Sequence, residues 1–302
     1  MRSGWVVLQI LLSGFAVAAP HVSFANASGE GSQVAATVAI GDGLLASVAV
    51  VGTDFGKVWM GEGEHAVPLT LVMGDEVSRL ALLKVPEGGA EEEAPQRGST
   101  THLEAGDPVY LDPDDLEHPS RVVSWENQYR DTVLPLSLMR VHHAGERVPL
   151  PGTPLFDKAG RLVALCHQAA PEFGLGTYAL PVEAIARVEK DLKSSGKFVS
   201  SWIGIRLDVK HPVLSIRSVR PESPAATAGI LKGDILLAVR ELEVQSYADA
   251  VNSLYYLVNG EEAVVRVLRG TEQVEVKVVP VETPVIPPPP LPLPLPLVPM
   301  PE

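Results

Sequence analysis

Short apolar runs broken by turn residues fill the first 180 positions of the chain. PLF, DKAG and RLVAL, for example, predict two strands joined by a hairpin turn. The other predicted strands are SQVAATVAI, LLASVAVV, KVWM, LALLKV, PVYLD, RVVSW and LPLSLMRV. Many short strands at regular spacing are typical of an all-β barrel or sandwich. The fold of this half is therefore predicted to be mainly β.

A change of pattern near residue 180 marks the end of the β-rich part. Ile185, Val188 and Leu192 fall on one helical face after Pro181, and Gly196 is placed to end that helix. From Ser200 the pattern is mixed α/β over about 80 residues, the size of a small domain. It has strands in VLSIRSV and DILLAVREL, a helix in SYADAVNSLYYLV and a hairpin in AVVRVLR-GT-EQVEVKVV that turns at Gly270.

Both ends of the chain differ from the body. Residues 1–27 have a positive charge at Arg2, an apolar stretch and the small-x-small sequence Ala25-Asn26-Ala27, which predict a signal peptide, with a membrane anchor as the alternative. The mature protein is then expected to start near Ser28 and to be periplasmic or secreted, with no stable membrane span. Residues 282–302 are rich in proline and predict a polyproline II tail, either a passive spacer or a ligand for an aromatic groove.

Composition excludes several functions. The net charge of −13 leaves no basic face for nucleic acid. The single cysteine, Cys166, lies in an apolar run and is predicted to be a buried, unreactive thiol. The histidines show no metal-ligand spacing, and adjacent His142 and His143 point to opposite faces of a strand. We therefore predict no metal and no cofactor.

The second half resembles a PDZ domain of the HtrA type. The resemblance rests on WIGI at 202–205, SPAATAGILKGDILLAV and SYADAVNSLYYLVNG. ALPVEAIARVEKDLKSSGK is similar to the linker helix of HtrA serine proteases. The resemblance therefore implies a trypsin-like double β-barrel over 28–180, a linker helix over 181–199, a PDZ domain of five to six strands and two helices over 200–281, and the proline-rich tail.

The catalytic positions of that family carry unsuitable residues here. Its nucleophile motif, Gly-Asn-Ser-Gly-Gly-Pro-Leu, aligned on Pro154 and Leu155, places Pro151 at the serine. Corresponding alignments place Ala49 at the histidine and Arg79 at the aspartate. A triad needs a hydroxyl, an imidazole and a carboxylate, so the resemblance implies no catalytic residues.

The oxyanion hole is degenerate as well. The two positions that supply N–H groups in the family are Pro149 and Pro151 here, and proline has no N–H. One alternative is a shifted site that uses Thr153 with His142 or His143, although neither histidine has a predicted orienting carboxylate.

Two classes of function follow from the resemblance. The first is an HtrA-like pseudoprotease that acts as a scaffold and captures protein C-termini or unfolded proteins through its PDZ domain. The second is an active endopeptidase in envelope quality control, and a regulatory subunit of an active relative is a further alternative. The family also implies a possible homo-trimer.

The predicted peptide site lies in the PDZ domain. The loop Trp202-Ile203-Gly204-Ile205 is expected to offer N–H groups to a terminal carboxylate. Ala250 and Leu254, four residues apart on the predicted helix, are expected to wall the pocket for an apolar last side chain.

Overall fold

The computed structural model describes residues 20–61, 63–85, 93–129, 132–170, 174–208 and 213–284. Most of the predicted signal peptide, much of the acidic stretch 86–99 and all of the tail from residue 285 lie outside these residues. None of the helices that it describes is long and apolar enough to cross a membrane.

Seven strands form the first β-sheet. In chain order they are β1 His21–Asn26, β2 Ser32–Gly41, β3 Leu44–Val48, β4 Thr53–Met60, β5 Val67–Pro68, β6 Thr70–Asp75 and β7 Leu80–Lys84, with a 3-10 helix at Gly63–His65. Their spatial order is β5-β4-β1-β2-β3-β7-β6, and every pairing is antiparallel. This sheet holds the predicted positions 49 and 79 at the ends of β3 and β7.

Six strands form the second β-sheet. They are β8 Pro108–Val109, β9 Ser120–Tyr129, β10 Thr132–His142, β11 Pro154–Phe156, β12 Leu162–Ala170 and β13 Gly176–Pro181, in the order β11-β12-β13-β10-β9-β8. The predicted hairpin is confirmed as β11 and β12, and its turn is held by Asp157 Oδ1, which accepts the N–H groups of Ala159 and Arg161. The two curved sheets confirm the double β-barrel.

The predicted linker helix is α1, Val182–Ser195, and it ends at Gly196, whose φ of 69° is the left-handed conformation that glycine adopts readily. Ile185 and Val188 are buried as the periodicity predicts. They join a core cluster with residues of both sheets, including Leu82 and Leu165. The helix is therefore part of the barrel domain's core.

The C-terminal domain begins after α1. Its elements are β14 Ser201–Trp202, β15 Ile205–Leu207, β16 Ile216–Val219, α2 Pro224–Thr227, β17 Ile235–Val239, β18 Leu242–Glu243, α3 Tyr247–Tyr255, β19 Ala263–Arg269, β20 Glu272–Val278 and β21 Val281–Glu282. The predicted β19–β20 hairpin is confirmed, with Gly270 at a φ of 63°. A separate apolar core, which includes Ile216, Leu236 and Val265, supports this domain.

Helix α3 joins the two domains. Its Asn252 Oδ1 accepts the Ser137 N–H of β10 at 2.6 Å, and Tyr255 donates its hydroxyl to Asp75 Oδ2 at 2.6 Å. Close by, Arg187 of α1 donates Nε–H to the Leu257 carbonyl at 2.7 Å. One face of α3 is therefore committed to the barrel domain.

The structure differs from the sequence predictions at β1. This strand lies between β2 and β4 and buries Val22 and Phe24 almost completely. Cleavage after Ala27, which stays a prediction, would remove this strand from the sheet. An upstream small-x-small sequence, Ala16-Val17-Ala18, would leave β1 in place.

We expect a protein that starts at Ser28 to unfold far more easily than one that starts at Pro20. Burial of a Val or Phe side chain contributes about 1.5–3 kcal/mol each, and loss of β1 also exposes the edges of β2 and β4. The total approaches the whole stability of a typical domain. Urea unfolding of the two versions checks this, and equal midpoints would contradict it.

Candidate functional site

The predicted histidine and aspartate positions lie side by side. The Ala49 N–H donates to the Arg79 carbonyl at 2.9 Å, and Arg79 Nε–H donates back to the Ala49 carbonyl at 3.1 Å. Ala49 is fully buried. The positions that the alignment assigns to the histidine and the aspartate are therefore adjacent in the structure. They carry the methyl group of Ala49 and the guanidinium of Arg79.

The guanidinium of Arg79 is occupied by the surrounding backbone. Nη2 donates to the carbonyls of Val50 and Thr53, both at 3.0 Å, and to Thr53 Oγ1 at 3.1 Å. The ring of Phe55 lies 4.1 Å from the guanidinium carbon, a cation–π contact. Burial lowers the pKa of Arg79 from its ordinary value, and Glu76 partly offsets this, but an arginine stays charged at neutral pH. A structural cation therefore occupies the aspartate position.

The loop around Pro151 packs tightly against the first sheet. The Pro151 carbonyl accepts the Ala36 N–H of β2 at 2.7 Å, and the Gly152 N–H donates to the Cys166 carbonyl at 2.7 Å. A Cβ added to Gly152 would lie 2.0 Å from the Ala36 oxygen, at a φ of 81°, so glycine is required there. The Thr153 N–H donates within the loop, to the Leu150 carbonyl. The N–H groups of Gly152 and Thr153 therefore both donate within the protein, and the neighbouring prolines have no N–H.

The residues of a shifted site are not joined in the structure. His143 is buried, with Nδ1 3.0 Å from Ser120 Oγ and Nε2 2.7 Å from Thr177 Oγ1. Burial lowers the pKa of His143 to about 4, with a smaller effect of His142, so the ring is neutral at pH 7. His142 is exposed, and the described hydrogen bonds of Thr153 come from its backbone. The structure thus shows no hydroxyl–imidazole pair at Thr153.

Sequence reasoning missed a buried histidine beside Arg79. His167 Nε2 lies 3.0 Å from the Ser78 carbonyl. Burial lowers the pKa of His167 to about 4, with a smaller lowering by the Arg79 charge, while the Ser78 carbonyl opposes both. Its neighbour Cys166 is buried, and burial raises the pKa of that thiol to about 12. Neither group is poised as a base or nucleophile. Among the described residues, no group of three or more His, Cys, Asp or Glu side chains could hold a metal ion.

The loop at 202–205, called the carboxylate loop below, has the backbone geometry that close approach requires. Gly204 has a φ of 88°, and a Cβ there would lie 2.2 Å from Ser223 Cβ. The Ile203 and Gly204 carbonyls accept the N–H groups of Ala225 and Arg220. In the part of the chain that the structure describes, neither the Ile203 nor the Gly204 N–H donates a hydrogen bond. Two amides are therefore left for a ligand.

Strand β15 has one unpaired edge. Among the described residues, β15 pairs with β16 alone, so its other edge can accept an added strand. Ile205 and Leu207 of β15 and Leu254 of α3 are partly buried against the domain core. Ile203 and Ala250, in contrast, are buried core side chains. The predicted contact with the Ala250 side chain is therefore not supported, and Ile203 is left with only its backbone for a ligand.

A basic residue next to the carboxylate loop was also missed. The exposed Arg220 places its guanidinium carbon 5.7 Å from the Trp202 ring centre, and Arg206 and Arg217 are exposed on β15 and β16. In a protein of net charge −13 these three arginines make a local positive surface. An anionic ligand end is favoured here.

Comparison with known proteins agrees with this architecture. A family model described as a PDZ domain matches residues 201–279. A probable periplasmic serine endoprotease, DegP-like, from Pseudomonas savastanoi pv. phaseolicola is 27% identical over 133 residues, which are 39% of this chain and 28% of the relative. Its Marinomonas counterpart is 32% identical over 37% of this chain and 26% of the relative. The chain spans less than a third of the length of these curated relatives.

Solved structures match over most of the chain. The HtrA-type protease AlgW with a tripeptide has a TM-score of 0.59 at 16% identity, covering 89% of this chain and 95% of that one. The serine endoprotease from Yersinia pestis has a TM-score of 0.52 at 19% identity, covering 88% and 95%. At these identities the likeness concerns the fold. Together with the PDZ match and the similarity to DegP-like relatives, it shows an HtrA-like architecture, a trypsin-like double barrel followed by a PDZ domain.

Proposed function

We propose that this chain is a periplasmic or secreted HtrA-like pseudoprotease, a binding protein that captures apolar C-termini of other proteins through its PDZ domain. The observation that carries the first part is the environment of Arg79. Its guanidinium donates to the carbonyls of Ala49, Val50 and Thr53, which leaves neither a base nor an orienting carboxylate at the family's catalytic positions.

The backbone of the nucleophile loop supports the same proposal. Oxyanion donors each contribute about 10² to 10³ in rate. Pro149 and Pro151 have no N–H, and the Gly152 amide donates to Cys166. A tetrahedral intermediate would therefore lack stabilisation even if a nucleophile were supplied.

Peptide capture would combine three features of the PDZ domain. The Ile203 and Gly204 amides and the Arg220 guanidinium receive the terminal carboxylate, because an anion gains most from convergent N–H donors and a nearby cation. The peptide backbone pairs along the free edge of β15. Its last side chain contacts Leu254 and the apolar surface beside it. The HtrA-type neighbours that were solved with a tripeptide and a decapeptide support a peptide as the ligand.

A titration with matched peptides tests the binding proposal. A labelled peptide that ends in an apolar residue with a free carboxylate is expected to bind at micromolar levels, about −8 kcal/mol. Its C-terminally amidated form should bind at least about tenfold weaker, because removal of one charge from a charge-assisted contact costs roughly 1.5–3 kcal/mol. Fluorescence anisotropy gives both affinities.

Arginine variants provide the controls. Arg220→Ala is expected to weaken the free-carboxylate peptide several-fold and to leave the amidated peptide unchanged. Arg147→Ala, an exposed arginine of the barrel domain, should change neither affinity. Equal affinity for the free and amidated peptides would contradict the role of the carboxylate loop.

A further inference from the structure

A cleft lies where the barrel meets the PDZ domain, apart from both sites described above. It comprises a cavity of about 700 Å³ and an adjoining one of about 380 Å³, which share Trp125 and Ser246. Trp125 from β9, Tyr247 from α3 and Tyr256 after α3 supply its aromatic surface, and the name junction cleft is used for this site. Its volume falls in the range of ligand sites.

The aromatic lining is suited to an extended apolar chain. Trp125 Nε1–H donates to the Leu103 carbonyl at 3.1 Å, which fixes the half-buried indole ring. The Tyr247 side chain is 37% exposed at the edge of the cleft. Fixed aromatic faces of this kind are what proline-rich segments in the polyproline II conformation dock against.

The junction cleft also offers hydrogen-bond donors. The Tyr256 hydroxyl oxygen is buried and has no hydrogen-bond partner in the described structure. Burial and the nearby Glu183 charge hold the pKa of Tyr256 well above its usual range, so this hydroxyl is a donor at neutral pH. Asn252, whose Oδ1 accepts the Ser137 N–H, has its amino group left to donate. A buried donor without an acceptor is costly, which points to a ligand that brings carbonyl oxygens.

The charge of the rim limits the class of ligand. Glu104, Glu241 and Glu243 are exposed around the cleft, so an anionic ligand would be repelled. A proline-rich segment brings carbonyl acceptors that have no N–H of their own to pair with, and its proline and leucine residues carry no charge. The ligand chemistry that fits is therefore neutral, apolar and rich in proline.

This chain contains such a segment within reach. Residues 285–302 read VIPPPPLPLPLPLVPMPE, in which Glu302 at the last position is the one charged side chain, and they would span about 55 Å at about 3.1 Å per residue as polyproline II. They follow Thr283, whose N–H donates to the Ser200 carbonyl. The preceding residue, Val199, is linked to Leu257, just after α3, because the Arg187 guanidinium donates to the carbonyls of both. The tail thus starts near one end of α3. The nine residues of that helix measure about 14 Å, so the tail can reach the cleft easily.

We propose that the proline-rich tail of this chain binds intramolecularly in the junction cleft, with proline rings against Trp125 and Tyr247 and a tail carbonyl accepting the Tyr256 hydroxyl. The tail then holds the PDZ and barrel domains together across α3. This inference is independent of peptide capture by the carboxylate loop.

A synthetic peptide of residues 285–302 tests the proposal against a protein that ends at Pro284. We expect labelled peptide to bind this shortened protein and to bind the full chain at least about tenfold weaker, because a tethered tail competes at millimolar effective concentration. Trp125→Ala in the shortened protein should reduce affinity at least tenfold, and Tyr256→Phe and Tyr247→Ala about threefold each. Trp59→Ala, in the first sheet, should have no effect. Circular dichroism verifies that each variant is folded.

Three results would overturn the proposal. The first is no binding by the shortened protein up to millimolar peptide. The second is equal binding by the full chain and the shortened protein, which excludes an intramolecular ligand. The third is loss of binding in Arg220→Ala, or competition by an apolar C-terminal peptide, which would place the tail in the PDZ groove instead.

Discussion

Replacement of Arg79 by aspartate, the residue that the family motif would have there, is expected to lower the free energy of unfolding by about 3–5 kcal/mol. The carbonyls of Ala49 and Thr53 would lose the hydrogen bonds that Arg79 donates, whereas that of Val50 would keep those from the N–H and hydroxyl of Thr53. Each buried unsatisfied polar group costs about 1–3 kcal/mol, and a carboxylate among carbonyl oxygens adds repulsion. The left-handed backbone at this position, φ 59°, is tolerated by aspartate, so the loss comes from the side chain.

Urea unfolding measures this effect, with Arg79→Lys as a graded variant and Arg147→Ala as the surface control. Lysine keeps the charge but lacks the planar fork of donors, so an intermediate loss is expected. An Arg79→Asp protein as stable as the original would mean that Arg79 is not a structural clamp.

Replacement of Gly204 by alanine is expected to reduce binding of an apolar C-terminal peptide at least about 100-fold. The new Cβ would lie 2.2 Å from Ser223 Cβ and 2.5 Å from Ser223 Oγ, so the loop or α2 must move. Ser223 caps α2 by accepting the Ala226 N–H. Either movement displaces the two amides proposed to receive the carboxylate, and pre-organised donors lose much of their value when displaced by about 1 Å.

Gly233→Ala is the matched control for backbone strain. Gly233 lies in the same domain with a φ of 94°, and a Cβ there meets nothing within 4 Å. The Gly233→Ala variant therefore has the strain of an alanine in the left-handed conformation, about 1–2 kcal/mol, but no clash like that of Gly204→Ala with Ser223. If both variants bound peptide as the original protein does, the carboxylate loop would not be the binding site.

The sequence predicted elements best where local pattern and tertiary environment agree. Val274, Val276 and Val278 alternate with charged residues, and the β19–β20 hairpin lies where that alternation indicates. Helix α1 ends at Gly196, as predicted. Strand β1 was missed because its apolar residues continue the run of the signal-like segment. Only its pairing with β2 and β4 distinguishes β1 from the signal-like segment.

Part of the candidate sites could not be predicted for a different reason. Alignment to the family places Ala49, Arg79 and Pro151, but the partners of the Arg79 guanidinium are backbone carbonyls, which have no sequence signature. Arg220 likewise becomes notable only when folding places it over Trp202. Ala250 has helical spacing with Leu254, and that spacing does not tell a core position from a groove position.

The central claim, that the barrel domain is not a protease, is tested most directly by a fluorophosphonate probe, which requires an activated serine. The measurement is the labelled fraction of purified protein, native and after heat denaturation, together with hydrolysis of an unfolded protein substrate. The account predicts no labelling above the denatured background and no hydrolysis, also for a Pro151→Ser variant that still lacks a base and an oxyanion donor. Stoichiometric labelling of the native protein that is lost on denaturation would contradict it.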